Sequence, residues 1–202
     1  MVQISYQQEI YRKLIHLSSL WMPVAMCMLT RIQAGAVFLA LLVLNVLLEY
    51  GHYKKWPVIH PLYDFFFARM MRNSAGDGKF EFSGGPYVLA AALLTVILFE
   101  PRIAACAFSV MLIGDTAAAL IGRKFGRIKF SNGKSLEGIL AFVVFSILTL
   151  AVCGCIFAYP ARLYVTGVIG IVLAAVAEFY EKKLHIDDNF SIPVIVGIAM
   201  SL

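Results

Sequence analysis

Long apolar runs recur along these 202 residues, and they limit what the chain can fold into more than any other feature. Candidate spans cover Leu14–Thr30, Ala34–Tyr50, Gly84–Phe99, Ile103–Ile121, Glu137–Ala158 and Arg162–Tyr180, with a shorter one over Phe190–Leu202. A helix needs about 20 apolar residues to cross the hydrocarbon of a bilayer. The pattern therefore predicts an all-α, polytopic integral membrane bundle of about seven spans. The last run falls short of that length, and it fits if its helix stops partway or the bilayer thins. Once these spans are placed, no room is left for a second globular domain, so residues 1–202 read as one membrane-embedded domain.

Charge follows the same plan. The net charge of +5 invites a nucleic-acid reading, but the cations lie in short loops between apolar runs, where they set topology. A nucleic-acid partner is excluded on that ground. With seven crossings and the N-terminus inside, 14 of the 17 basic residues fall on inner segments, and only Arg31, Arg102 and Arg162 lie outside. That asymmetry predicts a cytoplasmic N-terminus. Cys27, Cys106, Cys153 and Cys155 sit within apolar segments and read as small buried hydrophobes. No cleavable signal peptide is expected, because the first run lacks a small-residue cleavage site and leads into further spans.

The topology carries the unusual polar residues to one side. Arg12, Lys13 and His16 start the first span, Glu49 ends the second, and Asp115 lies about two helical turns from the inner end of the fourth. Glu137 opens the fifth span, Glu178 nearly closes the sixth, and Asp187, Asp188 and Asn189 precede the last. Between the second and third spans, Pro57–Phe82 is too long for a turn. Leu62, Phe65, Phe66 and Met70 can share one face there, with Asp64, Arg69 and Arg72 elsewhere, as in a helix lying in the membrane interface. The stretch Asn73–Lys79 reads as a hinge.

Within this set the stretch from Gly114 to Gly138 concentrates chemistry. A lone carboxylate in hydrocarbon is expensive, so Asp115 is a functional candidate, and Ala118, Ala119 and Gly122 share its helix face. The loop beyond supplies Arg123, Lys124, Arg127, Lys129 and Lys134, interleaved with Gly122, Gly126 and Gly133, which let backbone N–H groups approach an anion. Gly133-Lys134-Ser135 lacks the earlier glycine of a Walker motif, since Ile128 stands there. It still leads a cation and a hydroxyl into a helix N-terminus, which favours anions. Asp187, Asp188 and Asn189 offer hard oxygen donors suited to Mg²⁺ or Ca²⁺ shared with phosphates. Glu81, Gly84 and Gly85 bring an acid and a glycine pair to the inner mouth of the third span. His16 can serve as a base or phosphate donor, or simply as an interface residue. Arg12 and Lys13 read mainly as topological cations. These pieces predict a phosphate and metal site at the cytoplasmic membrane surface.

Taken together, RKLIH (Arg12–His16), FEFSGGPY (Phe80–Tyr87), GDTAAALIGRKFG (Gly114–Gly126), GKSLEG (Gly133–Gly138), Glu178 and DDNFSIP (Asp187–Pro193) resemble the CTP-dependent polyprenol kinase family, which includes dolichol kinase, phytol kinase and the CTP-using diacylglycerol kinase. The blocks span nearly the whole chain in family order. The resemblance implies transfer of the CTP γ-phosphate to the hydroxyl of a membrane lipid alcohol, giving CDP and a lipid monophosphate. As expectations, Asp115, Asp187 and Asp188 hold Mg²⁺, with Glu81 and Glu137 as further ligands. Lys134, Arg123 and Ser135 cradle phosphate oxygens with the backbone of Gly122, Gly126 and Gly133, and Asn189 orients the metal-bound carboxylates. Lys13, His16, Gly84 and Glu178 are further candidates. Two other activities compete: a phosphatidate cytidylyltransferase, whose longer lysine- and histidine-rich signature is absent here, and an anion transporter, which would carry charge through the whole membrane depth.

Overall fold

The computed structural model describes residues 6–67, 82–181 and 186–202, and the described residues are helical apart from turns and one isolated bridge between Lys129 and Ser135. The helices are α1 (Tyr6–Ser18), α2 (Trp21–Met28), α3 (Arg31–Tyr53), α4 (Ile59–Phe67), α5 (Gly84–Leu98), α6 (Pro101–Phe125), α7 (Leu136–Phe157), α8 (Ala161–Phe179) and α9 (Asp188–Ser201). By length and composition α3, α6, α7 and α8 can each cross a membrane, while α5 and α9 are shorter apolar helices. The described residues are thus all-helical, with four helices long and apolar enough to cross a membrane.

The first expected span, Leu14–Thr30, is not one helix. Ser18 Oγ donates to Ile15 O at 2.6 Å, and Ser19, Leu20 and Met22 close successive three-residue turns. Pro23 then lacks the N–H that a continuous helix would need. The break frees α1 to carry Glu9, Arg12, Lys13 and His16 as a polar helix packed on α6. Downstream, Thr30 and Gln33 form a reciprocal capping box that starts α3.

α6 is the hub. Of its most apolar 18-residue window 78% is buried, against 17%, 39% and 33% for α3, α7 and α8. Every residue from Ile103 to Leu112 is buried, and α1, α2, α5, α7 and α9 all pack on this helix. Encirclement requires small residues at crossings. A Cβ on Gly138 of α7 would lie 3.0 Å from Ala118 O and 3.2 Å from Gly122 Cα, so the two backbones touch there. Gly138→Ala is expected to destabilise the protein by about 1–3 kcal/mol through overpacking against the α6 backbone. Thermal unfolding in detergent checks this, and an unchanged Tm would show that the crossing has slack.

Two expectations need adjustment. Cys106 and Cys153 are buried as expected, but Cys27 and Cys155 are exposed on the bundle surface. A helix is present in the stretch after the second span as α4, with Leu62 and Phe65 exposed and Asp64 bonded to His52, whereas Arg69, Met70, Arg72 and the hinge 73–79 lie outside the described residues.

The ends of the bundle differ. At one end Arg31 donates to Phe99 O at 3.0 Å and Tyr159 OH to Arg102 O at 2.8 Å. At the other, Glu49 accepts from both the N–H and the hydroxyl of Ser83, tying the end of α3 to the start of α5. The C-terminal ends of α6 and α8 and the starts of α7 and α9 meet around a cavity lined by residues of each.

Candidate functional site

The site grows from Asp115. Lys13 and His16 stand one turn apart on α1 and both face it. Lys13 Nζ donates to Asp115 Oδ2 at 2.5 Å, and His16 Nε2 lies 3.3 Å from the same oxygen without a hydrogen-bonding angle. Both partners of the lysine–aspartate pair are buried. Further along the same two helices, Glu9 accepts from Arg12 at 3.2 Å and lies 3.5 Å from Arg123. α1 is therefore held antiparallel to α6 by two acid–base contacts, Lys13 with Asp115 and Glu9 with Arg123. The lysine expected mainly to set topology instead neutralises the central aspartate.

Between α6 and α7 the basic loop folds back on itself. Phe130 N–H donates to Lys134 O and Gly133 N–H to Phe130 O, both at 2.9 Å, and Leu136 N–H donates to Ile128 O. Gly133 has a φ of 87°, where a side chain would be strained. Asn132 Nδ2 donates to Phe179 O at 2.8 Å and pins the turn to the end of α8. Lys134 is thereby delivered to three oxygens: its Nζ donates to Glu178 O at 2.5 Å and Oε1 at 3.1 Å, and sits 3.2 Å from Glu181 Oε2. Burial alone would lower the pKa of this amine, but the Glu178 and Glu181 carboxylates outweigh it and raise it above the ordinary lysine value. A raised folded-state pKa means its stabilisation is fully present below the unfolded value and lost only as pH rises past the folded one, so Lys134 is charged throughout the physiological range.

Ser135 caps α7, its Oγ accepting from Gly138 N–H at 3.1 Å. Gly126 is needed for space rather than for backbone freedom, since a Cβ there would fall 2.1 Å from Gly122 O and 2.6 Å from Ser135 Oγ.

These elements enclose a cavity of about 550 Å³, within the range of small-molecule sites. Its lining includes five carboxylates, Glu9, Asp115, Glu178, Glu181 and Asp188, and six cations, Arg12, Lys13, Arg123, Lys124, Lys129 and Lys134. Of the residues expected from sequence, the cavity also takes Gly122, Gly133 and Ser135, and His16 adjoins it through Asp115. Others stand apart. Asp187 Oδ1 accepts from Asn189 N–H at 3.0 Å and Asn189 Nδ2 at 2.7 Å, so both close the α9 cap rather than line the cavity. Glu137 receives the Ile128 N–H at 3.3 Å and borders a separate groove with Gly126 and Arg127. Gly84 opens α5 away from the cavity, and Glu81 lies outside the described residues.

Glu9, Glu181 and the buried role of Lys13 escaped the sequence reading. The spacing of Glu9, Lys13 and His16 on one helical face was the available signal.

Fold and site together define a helical membrane protein with a cavity lined by charges of both signs at one end of its bundle. The chain belongs to the same family as an uncharacterized protein of Rickettsia prowazekii, to which it is 30% identical over 183 residues, covering 91% of this chain and 88% of that one. An uncharacterized protein of Methanocaldococcus jannaschii is 29% identical over 199 residues, 96% and 93% of the two chains. CTP-dependent diacylglycerol kinase 1 of Saccharomyces cerevisiae is 26% identical over 169 residues, which covers 72% of this chain and 56% of the yeast protein. No family model and no solved structure matches the chain.

Proposed function

We propose that the protein is a CTP-dependent lipid kinase that transfers the γ-phosphate of CTP to the hydroxyl of a membrane lipid alcohol, such as a polyprenol, dolichol, phytol or diacylglycerol. The observation that carries the reading is the cavity itself: cations and carboxylates from four helices, one loop and Glu181 just past α8 meet at the end of a membrane bundle. Phosphoryl transfer asks for this pairing, cations to hold the phosphates and carboxylates for a metal and a proton. The distant similarity to the yeast kinase points the same way.

In this reading Lys134, Arg123 and Lys129 hold phosphate oxygens. The lipid hydroxyl oxygen attacks the γ-phosphorus, the bond from that phosphorus to the β,γ-bridging oxygen breaks, and CDP leaves. A carboxylate of the cavity, Asp115 or Asp188, accepts the hydroxyl proton. The donor set suits a hard cation. Among the described residues no three cavity carboxylates bring oxygens within 4.8 Å of one another, and Mg²⁺, which is usually held by one or two carboxylates plus substrate phosphates, needs no such cluster. Asp115 and Asp188 would hold it, and when bound it neutralises charge on the β- and γ-phosphates. The same reading has the N-terminus and cavity cytoplasmic, with α1–α2, α5 and α9 completing seven crossings, so the alcohol enters sideways from the bilayer while CTP arrives from the aqueous side.

The test is product analysis with purified protein, Mg²⁺, γ-labelled CTP or ATP, and a panel of lipid alcohols. Label in a lipid monophosphate from CTP is expected. Label in pyrophosphate with phosphatidate as substrate would replace the kinase with a cytidylyltransferase, and solute uptake into proteoliposomes without CTP turnover would replace it with a transporter.

A further inference from the structure

Three side chains that the proposed chemistry does not use gather where α3 turns into α4. His52 stands at the end of α3, and His60 and Asp64 lie one turn apart on α4. His52 Nε2 is 2.8 Å from Asp64 Oδ1, and His60 Nδ1 is 3.4 Å from Asp64 Oδ2. Among the described residues this is the one group of three or more histidine, cysteine or acidic side chains whose ligand atoms all lie within 4.8 Å of one another. None of the three lines the cavity.

Two further observations point to a ligand. His60 Nδ1 is buried and has no hydrogen-bond partner, and buried polar nitrogens are almost always satisfied. The corner is also built to stay in place. Trp56 N–H donates to Gly51 O and His60 N–H to Trp56 O, both at 2.9 Å. A Cβ on Gly51 would lie 2.8 Å from the Trp56 ring and 2.9 Å from Ile59. The His52 and His60 rings meet at 4.7 Å between centroids, tilted by 65°, with both nitrogens within 3.4 Å of one carboxylate.

We infer that His52, His60 and Asp64 bind one divalent transition-metal ion, zinc by the chemistry of the ligands, which ties α4 to the end of α3. Two imidazoles and a carboxylate with a fourth position open to water form a zinc set, whereas magnesium and calcium prefer oxygen donors throughout. Asp64 is 45% and His60 37% exposed in their side chains, which leaves room for that water. The ion takes the place of the proton between His52 Nε2 and Asp64 Oδ1, and a neutral His52 then carries its N–H on Nδ1.

The experiment uses the full chain without a histidine tag, stripped with chelator in detergent and titrated with Co²⁺ and then Zn²⁺. Wild type is expected to develop the visible absorption of cobalt bound to nitrogen ligands and to lose it on one equivalent of zinc. His52→Ala and His60→Gln are each expected to weaken zinc binding by about 100-fold, since loss of even a supporting group commonly costs 10–100-fold. Asp188→Asn, altered only in the cavity, is expected to keep the signal. Absence of the absorption in wild type, equal affinity in monodisperse His60→Gln, or loss of the signal in Asp188→Asn would each overturn the site.

Discussion

Asp115→Asn is expected to abolish lipid phosphorylation and to weaken the fold, and the two effects can be separated. The loss of turnover should reach at least about 10²–10³-fold, the scale seen when one preorganised charge-stabilising group is removed from a site. The same change leaves Lys13 buried opposite a neutral amide, where it had a carboxylate at 2.5 Å. Removing one partner of a buried ion pair destabilises by about 3–5 kcal/mol, whereas replacing both partners with apolar residues is often neutral. The double variant Lys13→Met/Asp115→Leu should therefore recover most of the Tm lost by Asp115→Asn and stay inactive. Thermal unfolding and γ-label transfer on the same preparations check both halves. If the double variant turned over CTP like wild type, the pair would be a packing device for α1 and α6 and would leave the mechanism.

The second large effect is expected at Lys134. Lys134→Ala should weaken CTP binding by about 10–100-fold, the equivalent of one charge-assisted hydrogen bond, and should lower turnover further if the ammonium follows the γ-phosphate into the transition state. Without it Glu178, Glu181 and Asp188 face one another with less neutralisation, so repulsion adds to the loss. Lys134→Arg should restore part of the binding. Lys54→Ala serves as a control near wild type, because that ammonium lies over the Tyr50 and Tyr53 rings, away from the cavity. Nucleotide binding by Lys134→Ala at wild-type affinity would contradict the assigned role.

The helices were legible because hydrophobic length is a one-dimensional property: the expected spans over 34–50, 103–121, 137–158 and 162–180 each fall inside or within a residue of α3, α6, α7 and α8. The break at Ser18–Leu20 was less visible, since it depends on Pro23 and on where the polar face of α1 finds a partner. Asp115 stood out because a single acid in an apolar run demands a partner. Which partner it takes is a tertiary fact, and Lys13, 102 positions away, looks in sequence like any cation at a span end. Glu9 and Glu181 were hidden for the same reason, because their partners Arg123 and Lys134 lie far from them in sequence. The tandem pair shows how far a motif carries. Asp188 faces the cavity while its neighbour Asp187 is occupied by Asn189, and only backbone direction distinguishes them.

A nucleoside triphosphate is expected to sit where α1, the end of α6 and the basic loop converge. Determining the structure of the full chain with CTP and Mg²⁺ by electron cryomicroscopy tests it most directly. Triphosphate density is expected inside the cavity, touching Lys134 and Arg123, with metal density beside Asp115 or Asp188. Nucleotide bound in the outer groove of Lys124, Arg127 and Glu137, with the Lys13–Asp115 and Lys134–Glu178 pairs undisturbed and the cavity empty, would contradict it.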